Sequence, residues 1–511
     1  MRSVETVRMR SAPAPSIFLG AACLMLHLII NNRYGVFRDE LYFIVCGQHP
    51  AFGYVDQPPL VPWIAGASHA VFGVWLLPLR LAPALCMSAT VMLATEFARA
   101  LGGGRFAQWL CGLAVLLSPV FLVDGLLLVT DFMQPLTWLA VAWCLLRLAE
   151  TNDERWWLGV GLSVGISLTS KYLIFFYLAG LAVGVLATPF RHSLGKPYLY
   201  FGGVIAFVFL APSLAWQAQN DWPFLEIGRA GAAGKNLALS PLGFLGQQFL
   251  FVGPGSAPIW LAGLWRFAFR PSLPQLRVFP IAYAVTTLLV YFAHGKAYYV
   301  TPIYPVLLAG GAVAIEQWLR MPWVRGLAAG EVAIAGILTA PLALPILPPA
   351  DYRAYAGTFG LSAASSAMET NVTSTLPQQL ADMFGWREMA ERVSAVYNAL
   401  PADERAKAVF FGRNYGEAAA LDVYGPAFGG PPAISGHNNY YLWGTRGYDG
   451  SVVLTVGGDP ARYAKNFESV ERAGELDAPF AVSYESHIPI YVLRGSRIPL
   501  TKLWPRLEHY E

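Results

Sequence analysis

Long, predominantly apolar stretches recur along this chain from about residue 16 to about residue 347. A helix that crosses a bilayer needs about 17 to 25 such residues, because the hydrocarbon core is about 30 Å thick. We therefore predict a polytopic α-helical membrane protein. About eleven membrane-spanning helices are expected, near residues 16–32, 80–98, 106–122, 130–147, 156–170, 172–189, 197–215, 241–264, 278–294, 298–318 and 324–347.

The composition agrees with this prediction and argues against nucleic acid as a partner. Of the 511 residues, 55% are hydrophobic and only 13% are charged, which is far more apolar than a soluble protein of this size. The formal net charge of +3 provides no basic excess, so we expect no nucleic-acid partner. Membrane lipid is the expected surroundings of residues 1–347.

Basic residues predict the orientation of the chain. Arg2, Arg8 and Arg10 precede the first apolar run, which is typical of a retained signal anchor with a cytoplasmic N-terminus. Further basic residues then fall on the same side as this N-terminus, as the positive-inside rule requires. They are Arg99, Arg105, Arg147, Arg155, Arg191, Lys196, Arg266, Arg270, Arg277, Arg320 and Arg325. The loop at 33–79 and the C-terminal region are therefore predicted to be extracytoplasmic.

The composition changes after about residue 347 to that of a soluble domain, predicted at 348–511 as an α/β or α+β fold. Strands are expected at 408–413 and 451–458, a helix at 388–400 and a hairpin-like or paired strand region at 481–495. The Pro-rich run at 344–353 is the predicted hinge.

The predicted loop after the first span contains an unusual concentration of acids. The sequence RDELYF includes Asp39 and Glu40, close to the expected membrane boundary. A plain connecting loop needs no such pair. Spacing alone leaves open an amphipathic surface helix, with Leu41, Tyr42 and Val45 toward lipid and the acids solvated.

Three motifs follow one another on the predicted extracytoplasmic side. They read RDELYF at 38–43, GYVDQPPLVPW at 53–63 and HGKAYYVTPIYP at 294–305. Together they resemble bacterial family 39-type glycosyltransferases, which belong to the GT-C membrane class and are related to protein O-mannosyltransferases and the lipid A aminoarabinose transferase. The resemblance covers residues 1–347 and implies an enzyme of the bacterial cytoplasmic membrane.

The resemblance also implies a reaction. The donor is a sugar on polyprenyl phosphate, and the acceptor is a hydroxyl of a glycan, a glycolipid or a protein. A single inverting displacement needs one carboxylate as general base beside that hydroxyl. Because no phosphate loop or dinucleotide fingerprint occurs, a nucleotide-sugar donor is disfavoured. A sugar-lipid flippase or a secondary transporter is the alternative, although we detect no repeat between the halves.

The first two motifs supply the predicted catalytic and substrate-positioning acids. Asp39 matches the catalytic aspartate of the family and is the predicted base. Glu40 either orients Asp39 or the acceptor, or is a solvated neighbour. Asp56 is the second acid, held by the Pro-Pro pair that follows and predicted to position substrate. Gln57 departs from the family pattern, in which Lys or His is common.

Cations and tyrosines are predicted to bind the donor phosphate. Lys171 and Lys296 lie on the predicted extracytoplasmic side, and Tyr298 and Tyr299 accompany Lys296 in the third motif. Cations at membrane depth require a partner, although snorkelling to the interface is an alternative for both lysines. Asp131 matches a cavity-lining acid of the family, and helix capping by Thr130 or Asp131 is the alternative.

A divalent metal ion is an open possibility. His49, Asp56 and His294 are chemically suitable ligands, but no recognised ligand spacing relates them. The sequence therefore gives a candidate set without a motif.

Three loop regions carry aromatic and amide side chains suited to carbohydrate. The segment 216–236, with Trp216 and Trp222, is predicted to be a lid or an interfacial belt. The segments 412–425 and 435–444 are candidates for acceptor recognition, although Asn and Gly also serve ordinary turns.

Overall fold

The computed structural model describes residues 14–510 except 232, 234, 235, 363–368 and 370–373. The basic flank formed by Arg2, Arg8 and Arg10 lies outside the described residues. The residues NVT at 371–373 match a glycosylation sequon, a match that is common by chance, and they lie outside the described residues as well.

Helices form the chain up to residue 343. They are α1 (Ala14–Ile30), α2 (Arg38–Gln48), α3 (Leu60–Phe72), α4 (Leu76–Leu79), α5 (Leu81–Ala100), α6 (Arg105–Leu116), α7 (Pro119–Leu126), α8 (Gln134–Thr151), α9 (Trp156–Leu168), α10 (Ile174–Ala187), α11 (Pro197–Gln219), α12 (Pro223–Ala230), α13 (Pro241–Val252), α14 (Ala257–Phe269), α15 (Val278–Phe292), α16 (Tyr304–Trp318) and α17 (Pro322–Ala343).

Several of these helices have the length and composition of membrane spans. Among the described residues, five helical segments qualify, or up to seven if two bent pairs each count as one span. The five are Leu81–Ala100, Pro197–Gln219, Pro274–Phe292, Ala297–Trp318 and Pro322–Ala343. Shorter apolar helices occupy the predicted windows near 16–32, 156–170 and 241–264. A multi-pass helical membrane protein is therefore confirmed, whereas the number of about eleven spans stays a prediction.

Two predicted windows do not form continuous helices. The window 106–122 bends by 64° between α6 and α7, and Pro119 begins the second helix. The window 241–264 is interrupted at Gly253, whose φ of 90° ends α13 before Pro254. Proline lacks the N–H that a helix interior needs, and positive φ favours glycine, so both breaks follow from the local sequence.

The remaining described residues combine short helices with one sheet. The helices are α18 (Pro349–Gly357), α19 (Gln378–Ala381), α20 (Trp386–Ala399), α21 (Ala402–Arg405), α22 (Tyr415–Tyr424), α23 (Asn439–Trp443), α24 (Pro460–Asn466) and α25 (Leu500–Leu503). The strands are β1 (Ala408–Phe411), β2 (Ala433–Ile434), β3 (Val452–Val456), β4 (Phe467–Leu476) and β5 (Ile488–Ser496).

The five strands form one mixed sheet in the order β2-β1-β3-β5-β4. The pairs β1–β2 and β1–β3 are parallel, and β5 pairs antiparallel with both β3 and β4. Strands β1 and β3 are almost wholly apolar, as strands covered on both faces are. The two predicted strands and the helix near 388–400 are confirmed.

The predicted paired strand region at 481–495 is confirmed in part. Its one strand, β5, pairs antiparallel with β3 and with β4, and both partners precede it in the chain. The sequence FESVERAGEL of β4 is mostly exposed at the edge of the sheet, so its charged residues hide the strand pattern.

The predicted loop at 33–79 contains α2, α3 and α4, and α2 packs against α22 of the C-terminal part. Leu41, Tyr42 and Val45 are fully buried and share a core with Ala418 and Ala419. The alternative of a lipid-facing surface helix is therefore wrong.

Candidate active site

The N-terminus of α2 carries Asp39, which stays accessible. Its side chain is 30% exposed, and its Oδ1 accepts a hydrogen bond of 2.7 Å from the Tyr415 hydroxyl. The Nε of Arg38 approaches the same oxygen at 3.6 Å. Asp39 is thus an oriented carboxylate that can still meet a substrate.

Glu40, the next residue, is wholly buried. Its carboxylate pairs with Arg80, whose Nη2 lies 2.8 Å from Oε2, and neither side chain is exposed. It also accepts hydrogen bonds from the backbone N–H groups of Phe37, at 2.9 Å, and Leu128, at 3.0 Å. The alternative of a solvated neighbour is wrong, since Glu40 fixes the start of the helix that carries Asp39.

Arg38 joins α2 to the C-terminal part. Its Nη1 donates to the Tyr484 hydroxyl at 2.7 Å, and its Nη2 lies 3.6 Å from an Asp382 oxygen. Burial raises the pKa of Asp382 to about 6, although Arg38 opposes that shift. The site therefore includes a carboxyl that changes charge near neutral pH.

Two hydrogen bonds from other elements fix Asp56 and its neighbour Val55 in the second motif. The Tyr42 hydroxyl donates to Asp56 Oδ1 at 3.0 Å. The neighbouring Val55 N–H donates to the Asn439 amide oxygen at 2.7 Å, which ties this loop to α23. The Gln57 side chain is 1% exposed, and neither of its polar atoms has a partner among the described residues.

Lys171 forms an ion pair with Asp131, the kind of partner that the sequence predicted for this cation. The Lys171 ammonium lies 2.7 Å from Asp131 Oδ2, and the two side chains are 20% and 13% exposed. Its nitrogen is also 4.5 Å from the ring centre of Tyr299 and 5.8 Å from that of Tyr298. The capping alternative for Asp131 is wrong, because α8 begins after Met133 and no side chain caps it.

Lys296 is the second cation of this region. Its Nζ lies 2.8 Å from Glu369 Oε1, and both side chains are less than one-fifth exposed. Burial lowers the pKa of Lys296, but the carboxylates of Glu369 and Asp39 outweigh it, so that the pKa is raised. Tyr299 adds to this rise of the Lys296 pKa, and the Lys171 ammonium lies 4.5 Å from the ring centre of the same tyrosine.

The candidate metal ligands do not come together. The His49 ring stacks on Trp443 at 4.3 Å, and its Nδ1 lies 3.1 Å from the Val45 carbonyl oxygen. No group of three or more His, Cys, Asp or Glu side chains that fits a metal ion occurs in the described part of the chain. His49, Asp56 and His294 therefore form no such group among the described residues, and a divalent metal ion stays a prediction.

The predicted lid contributes packing. Trp216 lies in the last turn of α11 and packs against Gly53 of the second motif. A Cβ on Gly53 would lie only 3.0 Å from the Trp216 ring. Gln217 donates to the Tyr54 carbonyl at 2.9 Å. Trp222 is 43% exposed.

Sequence reasoning missed several residues of the site. Tyr415 and Asn439 lie within the two segments predicted for acceptor recognition, yet they contact the acidic motifs. The other missed residues come from distant positions without a motif: Arg80, Glu369, Asp382 and Tyr484. Arg80, Asp382 and Tyr484 contact α2, and Glu369 contacts Lys296, so only the folded structure reveals them.

Comparisons with known proteins show which proteins this chain is similar to. A family model described as dolichyl-phosphate-mannose-protein mannosyltransferase matches residues 56–216. The lipid A galacturonosyltransferase RgtD of Rhizobium johnstonii is 27% identical over 263 residues, which are 49% of this chain and 52% of that protein. A polyprenol-phosphate-mannose–protein mannosyltransferase of Mycolicibacterium smegmatis is 25% identical over 222 residues, 36% of this chain and 43% of that protein. The chain thus spans about half the length of the curated relatives it matches.

The fold has a solved counterpart. The crystal structure of ArnT from Cupriavidus metallidurans bound to undecaprenyl phosphate superposes with a TM-score of 0.60 at 16% identity, covering 94% of this chain and 98% of that chain. The resemblance to GT-C glycosyltransferases is confirmed. The apo ArnT structure gives a TM-score of 0.62 at 15% identity over the same shares. Asp56, Asp131 and Lys171 lie inside the region matched by the family model, whereas Asp39 and Lys296 lie outside it.

Proposed function

We propose that this protein transfers a sugar from a polyprenyl-phosphate donor to an acceptor hydroxyl on the extracytoplasmic face of the membrane. The observation that carries the proposal is the grouping of a partly exposed carboxylate, Asp39, with the two cations Lys171 and Lys296. A general base and a site for a phosphate leaving group are the two parts that this reaction needs.

The donor side is built around the two lysines. As the bond from the anomeric carbon to the phosphate oxygen breaks, the phosphate gains negative charge, and the preorganised ammonium groups of Lys171 and Lys296 stabilise it. Asp131 and Glu369 hold these cations before the donor arrives. Tyr298 and Tyr299 line the same position and offer further hydroxyl donors.

The acceptor side is built around α2. The acceptor hydroxyl oxygen attacks the anomeric carbon from the face opposite the phosphate, so the configuration inverts. Its proton passes to Asp39, and the products are the new glycoside, polyprenyl phosphate and a protonated carboxyl. Asp56 positions the substrates, and Glu40 acts through the start of α2.

The named activities of the relatives support the donor class. One relative is named for polyprenol-phosphate mannose and one for lipid A, so a glycan, glycolipid or protein acceptor fits the proposal. We place the protein in the bacterial cytoplasmic membrane, with residues 1–347 as the membrane domain and residues 348–511 as an extracytoplasmic domain.

The test uses purified protein in detergent with a radiolabelled polyprenyl-phosphate sugar and a cell-envelope extract. We expect the label to move to an acceptor while free polyprenyl phosphate is released. If the label stays on the donor, and the donor instead crosses the bilayer of proteoliposomes, the protein is a flippase or transporter and the proposal fails.

A further inference from the structure

The carboxyl edge of the C-terminal sheet faces the acidic motifs. Strands β1 and β2 are parallel, so their carboxyl ends lie at one edge of the sheet, where open α/β sheets commonly bind ligands. Tyr415 follows β1 and His437 follows β2, and the Tyr415 N–H lies 3.4 Å from His437 Nδ1. Helix α2 occupies this edge.

At this edge Tyr415 makes a directed contact with Asp39. Burial raises the pKa of Tyr415 well above its usual value, and Asp39 raises it further although Arg38 opposes, so the hydroxyl stays protonated. It therefore donates to Oδ1 of Asp39, at 2.7 Å. Arg38 approaches the same oxygen. Among the described contacts, Oδ2 is left for an acceptor hydroxyl.

The ring of Tyr415 is held on three sides. Its centre lies 4.7 Å from that of Tyr42 and 4.8 Å from that of His437. The Arg38 guanidinium lies over it at 5.4 Å. Tyr42 in turn donates to Asp56. Tyr415 and Tyr42 thus link Asp39 and Asp56 to the C-terminal part.

We propose that Tyr415 is a positioning residue for the base, so that the C-terminal sheet completes the active site. This inference rests on the proposed function. The Tyr415 hydroxyl fixes the rotamer of Asp39 and directs Oδ2 toward the acceptor, because a charge-assisted hydrogen bond is short and directional. A role in docking alone needs the ring of Tyr415 but not its hydroxyl.

The test compares Tyr415→Phe with Tyr463→Phe. The first substitution keeps the ring and removes the bond to Asp39. The control removes another tyrosine hydroxyl of the C-terminal part, which donates to the Gly457 carbonyl at 3.2 Å and lies outside the segments predicted for acceptor recognition. Activities are normalised to the folded protein eluting from size-exclusion chromatography.

For Tyr415→Phe we expect kcat to fall about 10- to 100-fold, as the loss of one hydrogen bond to a charged group predicts. The KM for the lipid-linked donor stays within about twofold of wild type, because the donor site is untouched. Arg38, Asp382 and Lys296 still face Asp39 in both variants.

A wild-type kcat in Tyr415→Phe overturns the inference while leaving the proposed function standing. So does a variant that loses thermal stability but keeps the wild-type kcat in its folded fraction, because the role is then structural. A wild-type protein without transfer activity instead removes the proposed function itself.

Discussion

The Lys171 ammonium lies 2.7 Å from the Asp131 carboxylate, although 40 positions separate them in the sequence. The segments that precede α8 and α10 therefore meet where the donor phosphate is proposed to bind. We expect Lys171→Gln to lower kcat about 100- to 1000-fold, the usual cost of removing one group that stabilises developing charge. Steady-state assays of label transfer measure this effect.

Lys465→Gln is the matched control, since Lys465 lies in α24, far along the chain from the site. It should leave transfer unchanged. A Lys171→Gln variant with more than about one-third of wild-type activity contradicts the role given to Lys171.

The buried Glu40–Arg80 pair is predicted to stabilise the fold. Glu40→Gln leaves the guanidinium of Arg80 buried without its counter-charge, which costs about 3 to 5 kcal/mol of unfolding free energy. Thermal unfolding in detergent should show a clearly lower Tm. Glu471→Gln is the control, because its pair with Arg494 is exposed and is worth at most about 1 kcal/mol. An unchanged Tm together with lost transfer would instead make Glu40 a catalytic residue.

The buried carboxyl of Asp382 makes the free energy of unfolding depend on pH. Its pKa is raised by burial from 3.8 to about 6 in the folded protein. The folded state therefore binds the proton more tightly, so this contribution to stability is fully present below about pH 4 and is lost as the pH rises to about 6 and above. Asp382→Asn cannot titrate, so the Tm of the variant minus that of wild type should increase between pH 4 and pH 7.

The corresponding free-energy change is about 3 kcal/mol, from a shift of about two pKa units. A Tm difference that is constant over this pH range contradicts the raised pKa. The same scan on Asp459→Asn, an exposed aspartate at the start of α24, should show no comparable trend.

Two glycines allow α14 and α16 to pack backbone to backbone. A Cβ on Gly311 would overlap the Ile259 carbonyl, and one on Gly263 would overlap that of Leu307. We expect Gly311→Ala to destabilise the protein by about 1 to 3 kcal/mol or more, since backbone cannot yield as a side chain does. Gly246→Ala in α13 meets no atom within 4 Å, so it should be neutral or slightly stabilising. Equal Tm values for the two variants would contradict this packing.

The sequence is sufficient for the helical membrane part and for β1, β3 and α20, because long apolar runs and short apolar strands are local signals. It also finds Lys171 and Asp131, although their pairing needs the fold. Strand β4 could not be predicted, because it lies at the exposed edge of the sheet and carries charged residues where a buried strand has apolar ones.

The partners of the acids could not be predicted, since each comes from a distant segment. Tyr415 reaches Asp39 across 376 positions, and Arg80 reaches Glu40 across 40. Neither contact has a local pattern. His49, Asp56 and His294 likewise have ligand chemistry but no ligand spacing, so the sequence does not specify their proximity.

The central claim is that Asp39 is the general base. The most direct measurement is label transfer by Asp39→Asn beside wild type, with binding of the polyprenyl-phosphate donor measured on the same preparations. The account predicts that donor binding stays within about threefold while transfer falls at least about 100-fold, because the amide cannot accept the proton. Wild-type transfer by Asp39→Asn would contradict it.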